Sequence, residues 1–435
     1  MFEAVRKGSG LSWQSLFRSA QRDSAARMLN VDLLAILIAL LLPWSTTGVG
    51  IAVPLWIIAF GFTVEPRSLL RSLTRPACAL PIAFFILALL GTLWSDAPWH
   101  ERVHAVGPLA KFLVLPLLIY HFERSSRGSW VFVAFLVSCM ALMLATWAVA
   151  LDPDLSLKRF LSRGPYRIDP GIVVKNYIDQ GQEFSLCAVA LAYPVVTSLR
   201  EGRIGKALML AAVAVSLVVN MMFVVVSRTA LVTMPIMLAV FALLHLRWRV
   251  AIVALGCAAL LSVVLWYASP HLRTTIGKFF IDYRETFVLS NESGMGSRLI
   301  YWQKALQFFA PAPAIGHGTG STQGLYERAA VGEVGAKAMV VRNPHNQTLN
   351  VAVQWGAVGV VVLWAMWLTH LLLFRGEGFV NWIGLLVVVQ NVLTSLLNSH
   401  LFDFNEGWMY VLGVGVAGGM TLARHASPRE QAPGA

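Results

Sequence analysis

The sequence predicts an all-α polytopic membrane protein with about twelve transmembrane helices and one large, partly helical segment outside the bilayer. Three observations carry this. Of 435 residues, 57% are hydrophobic and only 13% are charged, whereas soluble domains carry roughly 25% charged residues. The apolar residues fall in long blocks, many of roughly 16 to 23 residues, which match the hydrocarbon thickness of a bilayer. In lipid every backbone polar group needs an internal partner, so blocks of this length are helical. The alternating segments of a β-barrel, about ten residues each, are absent.

Taken in order, the candidate spans lie near 29–46, 49–64, 77–95, 104–121, 129–150, 181–198, 205–226, 229–246, 249–268, 346–374, 379–398 and 407–423. The first two are short and could form one helical hairpin. Met1–Asn30 is polar and basic, unlike a cleavable signal, and the first apolar run starts at Val31. Residues 1–268 hold spans one to nine with an outer segment at 151–180. Residues 269–345 form the large outer loop, and 346–435 hold the last three spans and a tail.

Lys and Arg in the short loops set orientation. Arg6, Lys7, Arg18, Arg22 and Arg27 precede the first span. Arg67, Arg71 and Arg75, Arg124 and Arg127, Arg200, Arg203 and Lys206, Arg247 and Arg249, Arg375, and finally Arg424 and Arg429 follow on alternate connections. All fall on one side, which is therefore expected to be cytoplasmic and to hold both termini. The net charge of +12 then reads as topology and contact with anionic membrane lipid, not nucleic-acid binding. Cys78, Cys139, Cys187 and Cys257 each sit within an apolar block and read as small packed residues. No Cys/His zinc spacing occurs.

Basic residues on the opposite side stand out against this trend. Lys158, Arg159, Arg163, Arg167 and Lys175 face one acid, Asp169. Long loops translocate regardless of charge, so such residues can be incidental. Arg228, in SRTAL, lies at a membrane boundary, where a charge either snorkels or serves a function. An anionic ligand such as phosphate suits it, because a guanidinium donates two parallel hydrogen bonds. In the large loop, Ser297 is expected to cap a helix running to about Phe309. Leu299, Trp302, Ala305, Leu306 and Phe309 would form its apolar face, with Arg298 pointing off it. The glycine-rich IGHGTGSTQG around His317 is weak evidence for phosphate binding, since no Walker lysine is present.

The sharpest feature is NPHNQTLNVAVQWGAVG. On a 3.6-residue period, His345, Leu349, Ala352, Gly356 and Gly359 share one stripe. Small residues there allow a close helix approach, placing His345 at the outer end of a packed groove. A neutral imidazole can accept a proton at physiological pH; a capping or interfacial histidine is the alternative. Asp96 and Asp403 are outer-face acids able to orient an arginine or a histidine. No acidic pair marks a metal site.

His345, Asn346, nine residues, Gly356, two residues and Gly359 together resemble the signature of bacterial O-antigen ligases. SRTAL at 227–231 and SRLIYWQKAL…PAIGHGTG at 297–320 look like two further landmarks, shared with O-antigen polymerases and protein O-oligosaccharyltransferases. The resemblance implies a GT-C-like, inverting glycosyltransferase in the bacterial inner membrane, acting on its periplasmic face. It implies transfer from an undecaprenyl-pyrophosphate-linked glycan donor to a sugar hydroxyl of a lipid A–core acceptor, in lipopolysaccharide biosynthesis. It implies no metal and no other cofactor. Cationic side chains must then hold the leaving pyrophosphate. Arg228 and Arg298 are expected in that role, with Lys175, Arg163 and Arg167 as helpers. His345 is the expected base, Asn346 its or the sugar's partner, and His317 and His400 are lesser outer-face candidates. A polymerase, a protein O-oligosaccharyltransferase and a lipid-linked sugar transporter are the rivals. A transporter should carry ionisable groups near mid-membrane, whereas here strong charges cluster at the outer boundary.

Overall fold

The computed structural model describes residues 13–155, 171–270, 272–274, 276–277 and 294–426, and every regular element among them is helical. Arg163 and Arg167, with Lys158 and Arg159, lie outside the described residues.

Helices α1 (Trp13–Leu41) and α2 (Thr46–Gly61) form the first hairpin, with Ser45 capping α2 through the Gly48 amide at 3.0 Å. Helices α3 (Pro66–Leu73) and α4 (Pro76–Leu90) meet at 81°. Each opens on a proline, whose missing N–H costs nothing at a first helical position. Helix α5 (Trp99–Val106), a 3₁₀ turn (Gly107–Leu113) and α6 (Val114–Phe122) form a broken rod, followed by α7 (Gly128–Leu151). Then come α8 (Tyr177–Ala190), α9 (Ala192–Arg200), α10 (Ile204–Phe223), α11 (Arg228–His245) and α12 (Trp248–Ala268). Outside the apolar helices lie α13 (Gly294–Phe309) and α14 (Thr322–Ala330). The chain ends on α15 (Gln347–Leu373), α16 (Phe379–Thr394) and α17 (Phe404–Ala426).

All twelve apolar stretches are helical, but eight among the described residues are long and apolar enough to cross a membrane. The bent α3–α4 pair would make nine. Of the remaining three, α2 and α16 have 16 residues each, below the roughly 20 that span a bilayer, whereas α17 has 23 but is rich in glycine and polar residues. Leu33, Ile51 and Ile252 are exposed, while Trp56, Trp355, Trp367 and Trp382 are buried, the inside-out pattern expected for helices in lipid.

Helix α17 is the packing hub, lying against α6 and α16. Its Gly415 and Gly419, one turn apart, leave no room for a Cβ: Leu118 Cβ would lie 2.6 Å from the first and the Ile119 carbonyl 2.5 Å from the second. Small residues at this spacing let two membrane helices touch backbone to backbone. At the end bearing the basic short loops, Arg75 clamps Glu123 with two bonds of 2.7 and 3.0 Å. Buried Asp32 accepts from His121 Nε2 (2.8 Å) and the Ser125 hydroxyl (2.7 Å).

At the other end, the stripe through Gly356 does not receive a helix. Gly356 has φ 60° and ψ −155°, which breaks α15. Residues 313–320 fill the break. The amides of His317 and Gly318 donate to the carbonyls of Val353 and Gln354 (2.9 and 2.8 Å), and the amides of Ala357 and Val358 donate to Pro313 and Ala314 (2.8 and 3.2 Å). The glycine-rich stretch is thus a backbone patch that restores the hydrogen bonds the helix lost. Irregular backbone survives near a membrane only when buried and satisfied in this way. Trp355 Nε1 and Thr319 Oγ1 lock it at 2.8 Å, and Thr319 Oγ1 donates to Ala88 of α4 at 2.6 Å.

Candidate active site

His345 lies in the turn before α15 with φ 55°, one of two described non-glycine residues at positive φ. That conformation costs about 1–3 kcal/mol and is held by side chains. Asn343 Oδ1 accepts from the His345 amide (2.6 Å) and from the Ser399 hydroxyl (2.9 Å). Asn346 caps α15 through the Leu349 amide (3.0 Å), and its Nδ2 donates to the Leu396 carbonyl (3.0 Å). Asn346 therefore fixes the turn carrying His345, a structural service in addition to any sugar contact. The His345 ring stands 6.1 Å from that of Tyr301, and its Nδ1 lies 2.7 Å from Asn398 Oδ1.

Helix α13 covers this turn. Its buried face differs in part from the expected one: Ala305 is buried as expected, but Tyr301 is buried too, whereas Leu299 and Leu306 are exposed. The helix also starts at Gly294, so Ser297 lies inside it, not at its cap. Tyr301 and its partner Tyr326, whose hydroxyl donates to the Tyr301 carbonyl at 2.6 Å, decide the rotation. Arg298 consequently turns toward the site. Burial first, then the nearby Arg228 charge, pull its guanidinium down from its ordinary range against the opposing pull of Tyr177 and Tyr301. Arg228 is the first residue of α11, after the cap Ser227, which accepts from the Ala230 amide. A helix N-terminus adds its own preference for an anion there.

Burial, and then the Arg298 charge, hold the His345 imidazole below its ordinary pKa, while Asn398 and Asp403 oppose them. Arg298 thus lies within reach of both: its charge acts on His345, and the Arg228 charge acts on it. The arrangement offers a base beside one cation, Arg298, with a second, Arg228, next to that, suited to removing a proton while an anionic group departs.

The other sequence candidates are engaged in contacts of their own. Lys175 Nζ is 2.6 Å from Asn405 Oδ1 and 3.9 Å from Glu183 Oε1, and also reaches the Leu42 carbonyl; its side chain is 8% exposed. It neutralises a buried acid, and a lipid phosphate would have to displace those partners. His317 donates its Nε2–H to the Phe308 carbonyl at 2.7 Å and lines a separate polar cleft with Asp96, Ser321, Glu327 and Arg328. His400 is buried between Asp403 Oδ2 (3.2 Å) and Glu406 Oε1 (3.5 Å). The ligand atoms of these three lie within 4.8 Å of one another, close enough to share a cation.

Asn398 and Lys111 were missed by reading the sequence. Asn398 sits in LLNSHLFDFNE, where a polar run between two apolar spans was the available signal. Lys111 is a lone lysine in an apolar block, rarely incidental. Its Nζ donates to the carbonyls of Phe402 (3.2 Å) and Asp403 (2.5 Å), pinning the turn between α16 and α17. Residues 212–364 match the family model described as O-Antigen ligase. No match was found among curated proteins. The matched stretch contains Arg228, Arg298, His317, His345 and Asn346; Lys175, Asn398, His400 and Asp403 lie outside it.

Proposed function

This chain belongs to the O-antigen ligase/polymerase superfamily, and from that premise we propose that it is an O-antigen ligase of the bacterial inner membrane. It would transfer a glycan from undecaprenyl pyrophosphate to a sugar hydroxyl of the lipid A–core oligosaccharide on the periplasmic face. The observation that carries the reading is that Arg298 stands between the two, acting on His345 and acted on by Arg228.

In this reading His345 Nε2 takes the acceptor hydroxyl proton as that oxygen attacks the anomeric carbon. The bond from that carbon to the phosphate oxygen breaks with inversion, and the pair of electrons leaves on undecaprenyl pyrophosphate. Arg228 and Arg298 hold the charge that develops there, so the chemistry needs no metal. The polyprenyl tail would lie along apolar helix faces. One apolar groove, lined by Val189, Met234, Leu238 and Phe241, runs beside α11, the helix that Arg228 begins. Burial of the imidazole supports the base role, since it keeps the proton-accepting form populated.

The test is a purified assay with undecaprenyl-pyrophosphate glycan and rough lipopolysaccharide, run with chelator present. Glycan on the lipopolysaccharide supports a ligase. A lengthened lipid-linked chain without lipopolysaccharide product would make the protein a polymerase instead.

A further inference from the structure

We propose that the turn between α16 and α17 is a positioning device for His345, in which Asp403 fixes the orientation of the Asn398 carboxamide and so keeps the proton on Nδ1 and the lone pair on Nε2. This rests on His345 being the base of the proposed reaction.

The argument is one of hydrogen-bond polarity. A carboxylate only accepts. Asp403 Oδ2 lies 3.0 Å from Asn398 Nδ2, so the Asn398 amide group must point to Asp403. Its other end, Oδ1, is then obliged to face His345, at 2.7 Å from Nδ1. A carbonyl oxygen can only accept, so Nδ1 carries the hydrogen. In a neutral imidazole the free lone pair is then on Nε2. Asn alone could face His345 with either end; the acid behind it removes the choice.

The acid is itself held. Lys111 pins the carbonyls of Phe402 and Asp403. His400, 1% exposed, sits 3.2 Å from Asp403 Oδ2 and 3.5 Å from Glu406 Oε1. These are charge contacts without hydrogen-bond alignment: neither ring nitrogen of His400 and neither oxygen of Glu406 has a hydrogen-bond partner. Burial alone would lower the His400 pKa, but Glu406 and then Asp403 overcome it and raise it to about 10. Beside this cluster opens a polar cleft lined by Asn176, Asp179, Asn398, Asp403 and Asn405. The charged or titratable groups acting on His345 are Arg298 from α13 and Asp403 and His400 from the turn. Tyr301 of α13 stands beside its ring.

The test is nitrogen NMR of the full-length protein in nanodiscs, with ring-labelled histidine, the His345 signal being identified by its loss in His345→Gln. The wild type should show a protonated Nδ1 and a lone-pair Nε2. In Asp403→Asn either end of Asn398 can face the ring. The other tautomer should then appear, and kcat should fall by more than about tenfold and up to about 10⁴-fold, the loss when a histidine base is held wholly in the wrong tautomer, while the donor KM stays within about twofold. Asn398→Asp keeps an acceptor on Nδ1; its other oxygen, about 3 Å from Asp403 Oδ2, shares a proton with that carboxylate, since two carboxylates this close do not both ionise. The variant should retain the wild-type tautomer, and its loss there would count against the proposal. Because it needs no amide orientation, it also tests the proposal if Asp403→Asn fails to fold. A wild-type proton on Nε2, or an Asp403→Asn protein with unchanged tautomer and kcat, would overturn the proposal. So would Zn²⁺ or Mn²⁺ retained through purification and lost in His400→Gln, since a metal needs that ring deprotonated. Should the tautomers behave as expected while no protein transfers glycan, the positioning stands and the ligase reading fails.

Discussion

At the scale of single residues, the site depends on where one proton resides. His345 is pulled below its usual pKa by burial and by Arg298, so its neutral, proton-accepting form survives acidification. The acid limb of the pH–rate profile should therefore lie below the ordinary imidazole value of about 6.5; a limb above that value would count against His345 as the titrating base. Replacing His345 with Gln should lower transfer by about 10²- to 10⁴-fold, the range for losing a general base, with the protein still folded by size-exclusion chromatography. Arg298→Ala should cost about 10²-fold or more, as for removal of one transition-state donor. It should also raise the acid limb by removing a positive neighbour. Unchanged donor kinetics in that variant would remove Arg298 from the pyrophosphate site.

At the scale of elements, the break in α15 is the feature on which the outer face is built. A Cβ at Gly356 would lie 2.4 Å from the carbonyl carbon and oxygen of Ala314, at a φ of 60° that side chains rarely adopt. Gly356→Ala should destabilise the protein by about 1–3 kcal/mol from the backbone alone, with the contact adding more, and should lower both unfolding temperature and activity. Gly50→Ala, in α2 where a Cβ meets nothing within 4 Å, is the matched control and should be tolerated. Equal effects of the two would mean that residues 313–320 do not brace the helix.

At the scale of the whole molecule, the basic short loops predict the orientation. Alkaline phosphatase inserted at Gly332, an exposed glycine after α14, should be active, whereas the same reporter at the C-terminus should be inactive. The reverse pattern would turn the protein over and place His345 in the cytoplasm. Inside the bundle, the Gly415–Gly419 contact with α6 and the Lys111 bonds to residues 402 and 403 couple the inner packing to the turn that steers His345.

The sequence by itself determined the helical, membrane-embedded class, because block length and backbone satisfaction in lipid leave few alternatives. It also marked His345, Arg228 and Arg298, since charges at a membrane boundary and a polar motif opening an apolar helix are visible without coordinates. It misjudged the stripe through Gly356 and the buried face of α13. Periodicity assumes an unbroken helix, and both outcomes depend on what distant segments supply: residues 313–320 in one case, Tyr326 in the other. Only the tertiary structure decided that Lys175 neutralises Glu183 and that Asn398 and Asp403 stand behind His345. Those partners come from far along the chain, and hydrogen-bond polarity exists only once they meet.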